Sequence, residues 1–367
     1  MIPIFSPTFG AAERENLLEC IDTGWISSQG RFIGEFEAAF AERADMPFGV
    51  ATSNCTTALH LSLAALGIGP GDEVICTDLT FIAPVNMIAL TGARPVLVDV
   101  DPVSWAMSPD QTAQAVTERT KAIIVVHPFS HAADMDPIMA IATKHGIPVI
   151  EDVAEAPLGE YKNRKLGSFG DMSCFSFFAN KVMTTGEGGM VLCSDPKLDE
   201  QLRVFRDHGM SREKRYHHVV AGYNYRMTNM QAAIGLAQLA AIDEILDRRA
   251  RQIARYRAAF DGNPNIQVRP IEPWCKEVHW LTTISLPEVG LRDRLLDHMR
   301  SQGIDGRQMV FPVHEAVPYR DAFDPAAFPV ATGISHRSLH LPSSTELSDS
   351  EIDRIADVVT SWVETNL

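Results

Sequence analysis

Between Glu73 and Asp99 the chain reads EVICTDLTFIAPVNMIALTGARPVLVD. Runs rich in β-branched and apolar residues stand at its two ends, EVICT at 73–77 and PVLVD at 95–99. Neither alternates apolar with polar residues, so each is expected to be a strand buried on both faces. The pattern repeats outward. Upstream, Val50-Ala51-Thr52 leads into a helical stretch at 56–66, which Gly67-Ile-Gly-Pro-Gly71 stops. Downstream come strand-like runs at 121–126 and 147–152, with a helical segment at 136–145 between them. Apolar strands alternating with helices predict an α/β fold with a mostly parallel sheet covered on both faces.

From Cys174 the texture changes. CFSFF at 174–178 and GGMVLC at 188–193 read as two closely spaced strands. A long helical pattern at 229–260, rich in Ala, Leu and Arg, suits a link between two domains. The rest of the chain, including 280–286 and a last helix from Ser348, suits a smaller α+β domain. The division expected is 1–245 for a large domain and 246–367 for a small one. The polar segment 206–223 is long for a loop, and loops of that length tend to carry function.

The 367 residues allow about two domains at ~150 residues each. Apolar residues at 46% and charged residues at 22% exclude a disordered or fibrous chain. With 32 basic against 47 acidic residues the net charge is −15, which argues against nucleic-acid or anionic-membrane partners. No apolar run reaches the ~20 residues of a membrane helix, and the start MIPIFSPTFG lacks the features of a signal peptide. Six scattered cysteines without a C-x-x-C pair fit neither a disulfide framework nor a zinc knuckle, so a reducing, cytoplasmic compartment is expected.

The chemistry concentrates at predicted strand ends. Lys181 follows an apolar strand and precedes a Gly-rich turn, where an ammonium is costly unless its pKa falls or it forms an imine; a surface lysine on a turn is the alternative. Ser176 offers a hydroxyl near the same strand end. Asp152 closes the run 147–152, at the edge where open α/β sheets place ligands, and suits a cation such as a protonated pyridine nitrogen or a plain helix cap. Glu155 supplies a second polar contact or completes that cap. Ser53-Asn-Cys-Thr-Thr57 stands between strand and helix, so Thr56, Thr57 and the free N–H groups make either a phosphate cradle or an N-cap. Phe81 opens another strand-to-helix turn, to stack on a flat ring or to fill the core. His60 reads as a packed histidine, and His127 with His131 lack a third ligand for zinc. A lysine, a strand-end aspartate, a phosphate-type helix start and an aromatic at one sheet edge are together what pyridoxal phosphate needs.

These stretches resemble the DegT/DnrJ/EryC/StrS aminotransferases, which have the aspartate-aminotransferase-like, type I pyridoxal-phosphate fold. The resemblance rests on Trp25-Ile-Ser-Ser28, Ser53 to His60, Leu66 to Val74, Glu151-Asp152, Lys181 to Met190, and Gly222-Tyr-Asn-Tyr-Arg-Met-Thr-Asn229. It implies Lys181 as the imine lysine, Asp152 on the pyridine nitrogen and Phe81 on the ring. It implies Thr56, Thr57 and Ser176 at the phosphate, and Glu155 near the ring hydroxyl. It also implies that Asn224 reaches the phosphate of a neighbouring subunit, hence a homodimer with shared sites. Asp207-His-Gly-Met-Ser211, Lys214-Arg-Tyr216 and Asn224 to Asn229 are most similar to the branch that aminates C4 of GDP-4-keto-6-deoxy-mannose with glutamate as donor. Trp25, His314 and Tyr319 are then the implied substrate contacts, and no metal is implied. The chain departs from the family pattern at Cys55 (usually Gly), Phe129-Ser130 (usually Tyr-Gly) and Pro157-Leu158 (usually His-Gly). Other keto sugars linked to UDP or dTDP, an eight-carbon acid sugar, and a non-catalytic regulatory role are the alternatives. Lys181 argues against the last, as does the lack of a basic helix-turn-helix pattern.

Overall fold

The computed structural model describes all 367 residues, Met1–Leu367. Seven strands form the main sheet in the order Phe48–Thr52, Gly189–Cys193, Met172–Ser176, Val149–Asp152, Thr120–Val126, Glu73–Thr77, Arg94–Val98. Only Gly189–Cys193 runs against its neighbours; the other adjacent pairs are parallel. Every residue of Glu73–Thr77, Val149–Asp152 and Met172–Ser176 is buried, as expected of strands covered on both faces. The antiparallel strand follows a connection, 177–188, that forms no helix and returns the chain beside Met172–Ser176.

Because the remaining strands point one way, Thr52, Thr77, Val126, Asp152 and Ser176 all end at one edge of the sheet. The turns leaving that edge carry Thr56, Phe81, Glu155 and Lys181. Helix caps hold the connections: Asn54 Oδ1 accepts from Thr57 N–H to start helix Cys55–Ala65, and Gly146 in the left-handed conformation ends Met135–His145.

A second sheet, antiparallel throughout, orders Gln267–Val268, Thr282–Ser285, Ser338–Leu341 and Arg307–Gln308. It shares a separate apolar core with helices Ile242–Phe260, Leu291–Ser301 and Asp349–Asn366. The expected helix at 229–260 is two helices, Asn229–Ala240 and Ile242–Phe260. At Ala241, between the two, one N–H is shared between the Ala237 and Gln238 carbonyls. The first helix packs on Ala11–Thr23 and Arg31–Arg43, the second on Asp349–Asn366. No helix is long and apolar enough to cross a membrane.

Candidate active site

Lys181 sits in the turn between Met172–Ser176 and Gly189–Cys193. Its backbone N–H donates to Phe178 O at 2.9 Å, and Thr185 N–H donates to Phe177 O at 2.9 Å, so the segment folds back over the strand end. The side chain keeps only 12% of its surface accessible, and Nζ lies 3.7 Å from Glu155 Oε1. It also lies 3.8 Å from the centroid of the Trp280 ring. Such a lysine is enclosed, unlike a solvated turn residue, with its Nζ against the indole face.

Asp152 is 6% exposed. Its Oδ1 accepts from Ala154 N–H at 3.0 Å, the local bond that the cap reading anticipates. Burial pushes the carboxyl up to about 6; the Glu155 carboxylate adds to this, while the Ala154 N–H and Lys181 act the other way. A carboxylate held there is stabilised by any cation brought against it. Glu155, also buried, accepts the Phe129 N–H on Oε2 at 2.7 Å. Phe129 and Ser130 both have positive φ, 49° and 77°, so this turn is locally strained.

The phosphate-type features are close together. Thr52, Gly189 and Ser176 stand in register across three neighbouring strands. A Cβ on Gly189 would fall 2.5 Å from the Asn54 carbonyl carbon and 2.7 Å from Cys55 N, so only glycine lets the helix start rest on this strand. The Thr57 hydroxyl is committed to the cap, donating to Asn54 O at 2.8 Å, and lies 3.2 Å from Ser53 Oγ. Thr56, by contrast, makes no side-chain bond within the chain, and the first helical N–H groups have the outward direction of any helix start. Ser176 Oγ accepts from Phe178 N–H at 3.3 Å, which leaves its proton free to donate. A helix N-terminus with two available hydroxyls, a buried carboxylate lacking a cationic partner and an enclosed lysine fit a planar, phosphate-bearing ring with a basic nitrogen.

The other expected residues divide. Phe81 is 60% exposed just before helix Ala83–Leu90, so it is not core. Trp25 is 55% exposed, and its carbonyl accepts Asn229 Nδ2 at 2.7 Å. His314 is buried: Nδ1 lies 2.7 Å from Asp78 Oδ2, its N–H donates to Asp78 Oδ1 at 2.8 Å, and the ring stacks on Phe328. Tyr319 O–H donates to Asn86 Oδ1 at 2.7 Å. Asn224 is exposed with Oδ1 accepting from Arg226 Nε, and the neighbouring Tyr225 carbonyl accepts Ser53 N–H at 2.8 Å. His60 packs edge-on against Tyr223, while His127 pairs with Glu151 and His131 is bonded to backbone on both ring nitrogens. Glu151 accepts Gly167, Phe169 and Gly170 N–H groups as well, making it a structural anchor for that turn. Sequence reading missed Trp280. Its Nε1 donates to Asn180 O at 2.5 Å across 100 positions, a separation that no local pattern signals.

The chain matches the model of the DegT/DnrJ/EryC1/StrS aminotransferase family over residues 7–360. It is 44% identical to the GDP-perosamine synthase of Caulobacter vibrioides over 96% of both chains. It is 40% identical to the GDP-perosamine synthase of Escherichia coli O157:H7 over 98% of both. Among solved structures, Streptococcus pneumoniae Spr1654 in its PLP-form superposes with a TM-score of 0.95 at 28% identity, covering 100% of this chain and 99% of that one. The fold is therefore the type I, aspartate-aminotransferase-like fold.

Proposed function

We propose that this chain, which belongs to the DegT/DnrJ/EryC1/StrS aminotransferase family, transfers the amino group of L-glutamate to C4 of GDP-4-keto-6-deoxy-mannose, making GDP-perosamine and 2-oxoglutarate. The observation that carries the sugar is the 44% identity, over 96% of both chains, to a relative named for that product. The enzyme is a pyridoxal-phosphate-dependent sugar aminotransferase. When bound, the cofactor supplies an electron-withdrawing ring that stabilises negative charge beside the amine being moved.

The chain's own residues divide the work in this reading. Lys181 Nζ holds the cofactor and, once released, carries the proton that must leave one carbon and reach another. Asp152 keeps a proton on the ring nitrogen; its buried, unneutralised carboxylate supports that part. Thr56, Ser176 and the N–H groups opening helix Cys55–Ala65 bind the phosphate, and Thr57 shapes that helix start. Glu155 orients the ring hydroxyl, and Phe81 covers the ring face. Trp25 is the exposed candidate for the sugar-nucleotide mouth. His314 and Tyr319, held by Asp78 and Asn86, are the further substrate contacts of this reading. We read the working form as a homodimer with shared sites in the cytoplasm. Phe9, Leu18, Ile21, Trp25 and Ile26 form an exposed apolar stretch that suits a partner copy, and six free cysteines suit a reducing compartment. The domain division at about residue 245 stays part of this reading.

The test supplies the holoenzyme with [15N]glutamate and, in parallel, GDP-, dTDP- and UDP-linked 4-keto-6-deoxy sugars. The label is expected in the GDP-linked amino sugar, with one 2-oxoglutarate formed per amine transferred. Preferred turnover of a dTDP or UDP sugar would overturn the sugar assignment, and transfer to none of them would overturn the substrate class.

A further inference from the structure

Behind the strained Phe129–Ser130 turn is a cavity of about 10 Å³, lined by Arg257, Arg269, Glu277, His279, Thr283 and Ser130 among others. That is room for one particle of about the size of a water molecule. Its charged lining is unusual for an interior. Arg269 is 5% exposed; its Nη2 donates to Phe129 O at 3.0 Å and pairs with Glu277, while Nη1 has no partner. Arg257 Nη2 donates to Arg269 O at 2.7 Å, while its buried Nε has no partner. His279 Nδ1 lies 3.1 Å from Glu277 Oε2 without the geometry of a hydrogen bond. Burial, and behind it the guanidiniums of Arg257, Arg269 and Arg249, hold the His279 imidazolium down at about 4, so the ring is neutral near pH 7.

The lining therefore carries two guanidiniums, buried Arg269 and part-exposed Arg257, against one carboxylate, a residual charge of +1, with two buried N–H groups, Arg269 Nη1 and Arg257 Nε, unpaired. Leaving charged donors buried without acceptors is costly. A water molecule accepts such bonds but leaves the charge uncompensated. We infer that this cavity binds a single atom-sized monovalent anion, a halide such as chloride, held by Arg257 and Arg269.

The cavity is connected to Glu155 and Lys181 through the Phe129–Ser130 turn. Arg269 grips the Phe129 carbonyl, and the Phe129 N–H grips Glu155, which faces Lys181. A bound anion fixes Arg269 and so stiffens the turn, whichever sugar the enzyme uses.

Two measurements on the holoenzyme test this. Crystals equilibrated with sodium bromide should show an anomalous peak in the cavity. Melting in sodium chloride or bromide, against sodium gluconate at equal ionic strength, should rise saturably by about 1–3 °C when the halide exceeds its dissociation constant tenfold. Arg257→Met keeps the aliphatic stem at a part-exposed position and should abolish both signals; Arg257→Lys, if folded, should retain them in part. Water-like density without an anomalous peak overturns the inference. So does equal melting in halide and gluconate, or a halide effect that persists in Arg257→Met.

Discussion

The ammonium of Lys181 lies 3.8 Å above the ring of Trp280, a residue 99 positions further along the chain. Both ends of Trp280 are tied. Its N–H donates to Ser130 Oγ at 2.6 Å and its Nε1 to Asn180 O at 2.5 Å. Ser130 has φ 77° and its neighbour Phe129 φ 49°, conformations that cost energy in non-glycine residues. The Ser130 hydroxyl, absent from a glycine at this position, is thus what connects the strained turn to the indole. Trp280 is a positioning residue for the lysine, steadying Nζ whenever it is free and charged.

The first prediction rests on that contact. Trp280→Leu removes the ring but keeps an apolar filler, and the loss of a desolvated cation–π contact of about 1–2 kcal/mol should lower kcat by about tenfold. The KM for the sugar nucleotide should change little, and Trp280→Phe should recover much of the rate. Adding pyridoxal phosphate to apoenzyme and following absorbance gives a readout that does not need turnover. Attachment should be slower in the leucine variant than in the phenylalanine one. Equal rates in all three proteins would leave Trp280 as packing only.

Asp152 gives a prediction with a defined sign. In the folded apoenzyme its carboxyl titrates near 6, against about 3.9 in an unfolded chain. Between those values the folded chain binds more protons. Stability contributed by this group is therefore greatest below about pH 4, falls as pH rises to 6, and stays low above. Asp152→Asn lifts that penalty, so the apo variant should exceed wild type by about 3 kcal/mol at pH 8, with a smaller gain at pH 5. Cofactor affinity should move oppositely, because a neutral amide offers no charge to a protonated ring nitrogen. Urea unfolding of both apoproteins at the two pH values checks it, and a pH-independent difference would sink the linkage.

The two threonines at the helix start are expected to separate. Thr57→Ala removes the hydroxyl that bonds Asn54 O, and should cost about 1 kcal/mol of apoprotein stability. Thr56→Ala breaks no bond within the chain, so stability should hold while phosphate and cofactor bind more weakly, by about tenfold or more for one lost hydrogen bond to a charged phosphate. Calorimetry of the apoproteins with pyridoxal phosphate as titrant separates the cases. A destabilised Thr56→Ala with unchanged affinity would reverse the assignment.

Much of the fold is legible in the sequence because burial on both faces leaves a plain mark. Glu73–Thr77 shows its strand limits in sequence, and Thr120–Val126 differs from the expected run by one residue. Ser348 announces the last helix as its N-cap. The break at Ala241 leaves no such mark, since neither Gly nor Pro makes it. Two cores pull Leu239 and Phe260 apart, and the helix divides between them. The cradle is legible from Ser53 to Thr57, but sequence does not tell which hydroxyl closes the cap and which stays free. Trp280 and the Phe129 N–H reach the site only through tertiary contacts, so no spacing rule finds them.

The last prediction concerns Asn224. Its Oδ1 is taken by Arg226 Nε, which leaves Nδ2 as a donor at an exposed position. In the proposed homodimer that donor serves the partner's phosphate. The Tyr225 carbonyl, however, accepts Ser53 N–H at the same chain's helix start, so a service within the chain is the concrete rival. Co-assembly of a Lys181→Ala chain with an Asn224→Asp chain separates them. If sites are shared, each mixed dimer has one site with both defects and one with neither, so random mixing restores about a quarter of wild-type activity per site. If Asn224 serves its own chain, every site in the mixed dimer carries one defect and nothing returns. Aspartate is the useful replacement because it sets a negative charge against the phosphate, whereas removing the amide only deletes one bond to it, worth about 1.5–3 kcal/mol. Mass spectrometry of the mixture must first show that subunits have exchanged. Transfer of 15N from glutamate then gives the result, and no recovery in a fully exchanged mixture assigns Asn224 to its own chain's site or to none.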